Sequence, residues 1–179
     1  IVQVFQYNGS SWSQLGSDIA GVSRIGDQHN TLSLNTAGTI LAVSDRRVVS
    51  NTGVVRVYEY SSGSWSQIGS DIDGEAVGDY CGNVSLNNSG SIIAVGAQSN
   101  DGNAANNAGH VRVFEYSAGS WSQLGTDIDG EASGDVSGKS VSMDGTGTIV
   151  AIGAHGNDAN GSNSGHVRVY EYDSGTTTW

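Results

Sequence analysis

Strand-length segments in which apolar and polar residues alternate recur along the chain, interrupted by short runs that are apolar throughout. In one unit "SVSM" at 140–143 alternates, "TIVAIGA" at 148–154 is continuously apolar, and "HVRVYEY" at 166–172 alternates again with β-branched and aromatic residues. A fourth segment, "SWSQLG", stands at 120–125 in the preceding unit. Period-two patterns of this length predict β-strands, and the intervening "DGTG", "SAGS" and "NSG" supply turn residues. Nothing sustains a helical period, so the predicted class is all-β.

The pattern also repeats as a whole. "VQVFQYNGSSWSQLGSDIAG" at 2–21 returns as "VRVYEYSSGSWSQIGSDIDG" at 55–74 and as "VRVFEYSAGSWSQLGTDIDG" at 111–130, with Trp12, Trp65, Trp121 and Trp179 as markers. Units of this length bury a core only by stacking on neighbours, as in propellers and solenoids. "ILAV", "IIAV" and "IVAI" suit inner strands covered on both faces, whereas "VRVYEY" suits a partly exposed position farther out. The prediction is β-propeller-type blades of four antiparallel strands, about three and a half of them. They divide as a partial blade at 1–16 and blades at 17–69, 70–125 and 126–179, the last strand incomplete. Such a set cannot close a ring of four or more blades, so the chain is expected to belong to a longer one or to associate with copies of itself. Beginning at Ile1 in mid-pattern, it reads as a processed or excised piece.

Composition narrows the partners. Eighteen acidic against 7 basic side chains give a net charge of −11, which repels nucleic acid and anionic lipid surfaces. Apolar residues reach 36% and Pro is absent, a foldable rather than a disordered composition. Cys81 stands alone and reads as a small buried thiol. No run approaches the roughly 18 apolar residues of a membrane span.

"GDVSGKSVSM" at 134–143, "IVAIGA" at 149–154 and "GHVRVYEY" at 165–172 together resemble the FG-GAP repeats of integrin-like β-propellers. "WSQLGTDIDGEASGD" at 121–135 is similar to Trp-containing repeats of secreted bacterial and algal surface proteins. The resemblance implies an extracellular or cell-surface setting, and calcium in the hairpin between the first two strands of a blade. Those hairpins read "NTAGT", "NNSGS" and "DGTGT", with Asp144 as their one carboxylate, where a hard cation wants several oxygen ligands.

The richer candidate is the blade-to-blade loop. Asp71, Asp73, Glu75 and Asp79, repeated as Asp127, Asp129, Glu131 and Asp135, follow half of an EF-hand spacing, while the first unit keeps Asp18 and Asp27. Ala132 and Gly138 replace the pivot Gly and the bidentate Glu, so these carboxylates are either weak calcium ligands or acceptors in tight Asx turns. The same face should carry the second-to-third-strand loops, with Asn100, Asp101, Asn157, Asp158 and Asn160 as ligand-face candidates against a solvated-loop reading. The Trp residues are either sugar-stacking rings or wedges between sheets with N–H groups on backbone carbonyls. Arg56, Arg112 and Arg168 recur beside aromatic residues and read as packing and cross-strand partners of Glu. His110 and His166 precede equivalent strands and read as structural, while His29 and His155 stand alone. Sequons at Asn8, Asn83, Asn87 and Asn160 are candidate glycosylation sites.

No nucleophile elbow, paired-Cys zinc spacing or phosphate loop occurs. The expectation is a non-enzymatic extracellular propeller module for adhesion, scaffolding or self-assembly, partnered by itself or other extracellular proteins. A calcium-assisted glycan-binding lectin is the alternative, and a noncatalytic segment of a larger enzyme the third reading.

Overall fold

The computed structural model describes residues 1–20, 31–102 and 106–179; Asp27 and His29 lie outside them. The alternating segments form successive antiparallel sheets. Strands β1 (Phe5–Tyr7) and β2 (Trp12–Gln14) pair alone as a half-blade. The first full blade runs β3 (Leu32–Leu34), β4 (Ile40–Asp45), β5 (Val54–Ser61), β6 (Ser64–Gln67) and β7 (Ile72–Asp73). The second runs β8 (Cys81–Leu86), β9 (Ile92–Ala97), β10 (His110–Ser117), β11 (Ser120–Gln123) and β12 (Ile128–Asp129). The third holds β13 (Ser137–Met143), β14 (Ile149–Ala154) and β15 (His166–Glu171).

The predicted fourth strand is two pieces. β6 and β7 both pair with β5, as β11 and β12 both pair with β10. Gly69 and Gly125, at φ +69° and +80°, turn the chain between the pieces, a conformation that a side chain resists. Trp179 ends the third blade at the place of Trp65 and Trp121, packed on Tyr172 at 5.2 Å as Trp121 packs on Tyr116 at 5.1 Å.

One apolar cluster fills each junction between sheets. Val2, Ile19, Leu41 and Trp65 join the half-blade to the first blade. Val55, Val57 and Ile72 of the first blade meet Ile93, Val95 and Phe114 of the second. Val111, Val113 and Ala94 of the second meet Val150 and Ile152 of the third. Each sheet thus offers β-branched residues from one face and an aromatic-containing face to opposite neighbours, which is propeller-type stacking of blades.

Three of the four indoles lock such junctions. Trp65, Trp121 and Trp179 donate Nε1–H to the carbonyls of Leu15, Ile68 and Leu124 in the preceding sheet, at 2.8, 3.1 and 2.9 Å. Gly16, Gly69 and Gly125 lie beneath them, and a Cβ at Gly69 would come within 2.6 Å of Trp121 Cδ1. That contact explains the Gly of the repeated "SQLG" or "SQIG". Trp12, with no preceding sheet among the described residues, is 69% exposed.

Candidate functional site

The two kinds of loop do share a face. Residues 75–79 and 99–102 with Asn106 and Asn107 line one cleft of about 580 Å³. Only Glu75 and Asp79 of the acidic repeats line it, and the repeats otherwise disperse. Asp71 takes two hydrogen bonds from Arg56, at 2.9 and 2.7 Å, and a third from Gln67. Asp79 is buried and accepts from the Ala76 backbone and the Asn100 amide, at 2.9 and 3.1 Å. Asp135 repeats this with Ala132 and Asn157 at 3.1 and 2.9 Å. These buried Asp–Asn pairs tie each blade-to-blade loop to the next second-to-third-strand loop, which is a structural use of both.

The half-EF-hand spacing therefore does not assemble loop by loop. Asp127 accepts from Gln123 at 2.7 Å, and the Asp73 carbonyl, rather than its carboxylate, receives Arg112 Nη2 at 2.6 Å. Asp101 and Asp158 accept backbone N–H groups of Asn107 and Asn163, as turn residues do. The exposed Asn160 donates its own backbone N–H to Ser164. In the first blade the corresponding loop makes a left-handed turn at Val49, Ser50 and Asn51.

What does converge comes from separate segments. Among the described residues one group of three potential ligands has its atoms within 4.8 Å of one another: Glu75, His110 and Asp127. His110 begins β10 and is paired in register with Asp129 of β12. Its Nδ1 lies 3.9 Å from Glu75 Oε2 and 4.0 Å from Asp127 Oδ2, and its ring is 1% exposed. Arg112 Nη1 approaches Glu75 Oε1 at 3.4 Å, with its guanidinium 5.3 Å from the Phe114 ring centre. Burial and then Arg112 hold the His110 pKa below its ordinary value, against the pull of Asp127, Glu75 and Asp129. The neutral imidazole is the favoured form.

The next junction repeats most of this. His166 Nδ1 lies 3.7 Å from Glu131 Oε2, and Arg168 pairs with Glu131 Oε1. The first unit departs in sequence: Val22 stands where the Glu would be and Val54 where the His would be. Arg56, lacking that Glu, is held by Asp71 of its own blade, which raises its pKa and lowers that of Asp71. Glu and His thus appear together or not at all. The pattern is legible in the repeats only when each loop is compared with the third strand of the following blade, since a loop taken as a ligand set by itself leaves the His out.

The remaining candidates separate by burial. Asn8 and Asn160 are exposed, whereas Asn83 and Asn87 are buried and donate their amides to the carbonyls of Gly138 and Thr146 at 2.7 and 3.4 Å. A glycan has no room on a buried amide, so Asn83 and Asn87 drop out as acceptors. Asp144 receives the backbone N–H groups of Thr146, Gly147, Thr148 and Ile149. These bonds, with the Thr146 hydroxyl foremost, hold its carboxyl far below the ordinary range. Asn35 and Asn87 close the equivalent hairpins, so this position is a turn lock. Cys81 is buried, and desolvation pushes its thiol up to about 11.

Comparison with known proteins agrees with this architecture. Residues 126–170 match the family model described as FG-GAP repeat. No curated protein matches the chain. Among solved structures it resembles TolB from Acinetobacter baumannii, at 14% identity and TM-score 0.49, over 98% of this chain and 35% of that one. It also resembles the tricorn protease, at 10% identity and TM-score 0.52, over 92% of this chain and 15% of that one. The second likeness shows the fold alone. The third unit is an FG-GAP repeat in a chain of β-propeller blades.

Proposed function

We propose that this FG-GAP-repeat chain is a non-enzymatic extracellular module that works in adhesion or scaffolding by adding blades to blades. One observation carries the reading: the outer faces of the first and last sheets carry the residues of the two halves of one internal junction, so each fits a further blade, of a longer chain or of a second copy. Ile149, Val167 and Val169 are exposed on the last sheet, at the repeat positions of Ile92, Val111 and Val113, which the third blade covers. Phe5, Tyr7 and Trp12 are exposed on the half-blade, at the positions of Phe114, Tyr116 and Trp121. Contiguous apolar surface of this kind marks an association site, and head-to-tail contacts that do not close generate filaments.

Among the described residues no helix is long and apolar enough to cross a membrane. The exposed sequons at Asn8 and Asn160 support the extracellular assignment. The glycan-binding alternative keeps one exposed indole, Trp12, whose three equivalents are junction wedges.

Disulfide trapping tests the geometry. Phe5→Cys and Val169→Cys proteins are mixed under mild oxidation, with the buried, protonated Cys81 staying out of the reaction. Head-to-tail association gives the mixed dimer in excess over either like-with-like product. Statistical products or none would reject it.

A further inference from the structure

Glu75, His110 and Asp127 belong to a blade-to-blade loop, the start of a third strand and the bend before β12. We propose that these three side chains bind one divalent transition cation of borderline softness, with Zn²⁺ as its type. The site lies at the junction of the first and second full blades.

The carboxylates are presented as ligands rather than merely gathered. Arg112 engages Glu75 through Oε1, leaving Oε2 toward the imidazole. Gln123 engages Asp127 through Oδ1, leaving Oδ2 toward the same nitrogen. Fixing one oxygen so that the other addresses the metal is what outer partners do in metal centres. His110 supplies the independent sign of a missing ligand. It is 1% exposed, its Nε2 is buried without a hydrogen-bond partner, and its Nδ1 faces the two carboxylates from 3.9 and 4.0 Å, beyond hydrogen-bond distance of either. A buried polar group without a partner is costly, and a metal at Nδ1 gives that nitrogen the direct partner that neither carboxylate provides.

Size and charge agree. Zn–N and Zn–O bonds near 2.0–2.2 Å set tetrahedral ligand atoms roughly 3.4 Å apart. The present 3.9 and 4.0 Å close to that by small rotations of Glu75 and Asp127, whose side chains reach solvent. Two carboxylates neutralise a divalent ion, and water completes the shell. One imidazole with two carboxylates suits Zn²⁺ over Ca²⁺, which takes six or more oxygens. The Glu131–His166 pair has the Glu and the Arg168 contact, and among the described residues no third carboxylate joins it, so it serves as a comparison within this chain.

Equilibrium dialysis of the full chain against Zn²⁺, repeated with Co²⁺ for its visible absorption, decides the matter. One tight Zn²⁺ per chain is expected, undiminished by excess Ca²⁺. Asp127→Asn and Glu75→Gln should each weaken it at least about tenfold, and His166→Ala should leave it unchanged. His110→Ala should abolish binding; if that protein fails to fold, Asp127→Asn, an exposed change, carries the test with circular dichroism confirming its fold. Absence of stoichiometric binding, or binding indifferent to Asp127→Asn, would overturn the assignment.

Discussion

Strands β10 and β15 begin HVRVFE and HVRVYE and sit in opposite surroundings. Val111 and Val113 are 0% exposed because the third blade lies on them, while Val167 and Val169 are 69% and 67% exposed. The sequence is written for a covered strand in both places. Burying a valine contributes roughly 1.5–3 kcal/mol, so the last sheet keeps unspent the energy that its twin has used. The same contrast separates Trp121, wedged on Ile68, from Trp12, which nothing covers. In a stacked-repeat fold the stability of a unit lies as much in its neighbour as in itself.

The largest expected effects break the covered member of each pair. Val113→Asp places an unpaired charge in the second junction and should cost about 4 kcal/mol or more, enough to unfold the protein in a chemical melt. Val169→Asp should move the melt of the dissociated chain by less than about 0.5 kcal/mol. Trp121→Ala should cost about 3 kcal/mol, against under about 0.5 kcal/mol for Trp12→Ala in the dissociated chain. Equal losses from the two Trp variants would contradict the wedge assignment.

Smaller effects test the turns and charges that differ between units. Asp144→Ala removes the acceptor of four backbone N–H groups and should cost about 1 kcal/mol. Asp144→Asn should be nearly neutral, since Asn35 and Asn87 do the same work in the other hairpins. The Arg56–Asp71 pair sets the smallest effect. The Asp71 pKa is lowered in the folded chain, chiefly by Arg56. Its contribution is therefore present above the unfolded carboxylate pKa and is lost as pH falls through the lower folded one. For a partly exposed pair that amounts to about 0.5 kcal/mol. Urea melts between neutral pH and pH 2 should show this loss in the native protein and a correspondingly smaller one in Asp71→Asn.

The fold could be read before the structure because it rests on local periodicity. Alternation in "VRVYEY", unbroken apolarity in "IVAI" and the repeated Trp each report their own strand. The break in the outer strand escaped, because a Gly beneath an indole matters only once another sheet supplies that indole. The site was half legible. Glu75 and Asp127 stood among the candidates, but 52 residues separate them (127 − 75), and stacking of blades, not loop spacing, brings them to His110. The sequons likewise part company, Asn8 outside and Asn83 inside, because burial depends on the neighbouring sheet.

Sedimentation equilibrium of the native chain beside Val169→Glu most directly tests whether the open ends are junction halves. The 179-residue chain by itself should show a mass above 18.4 kDa that grows with concentration, and its Val169→Glu variant should remain a monomer with the same circular dichroism. A native chain that stays at 18.4 kDa at every concentration, or a Val169→Glu protein that associates as well as the native one, would contradict the account.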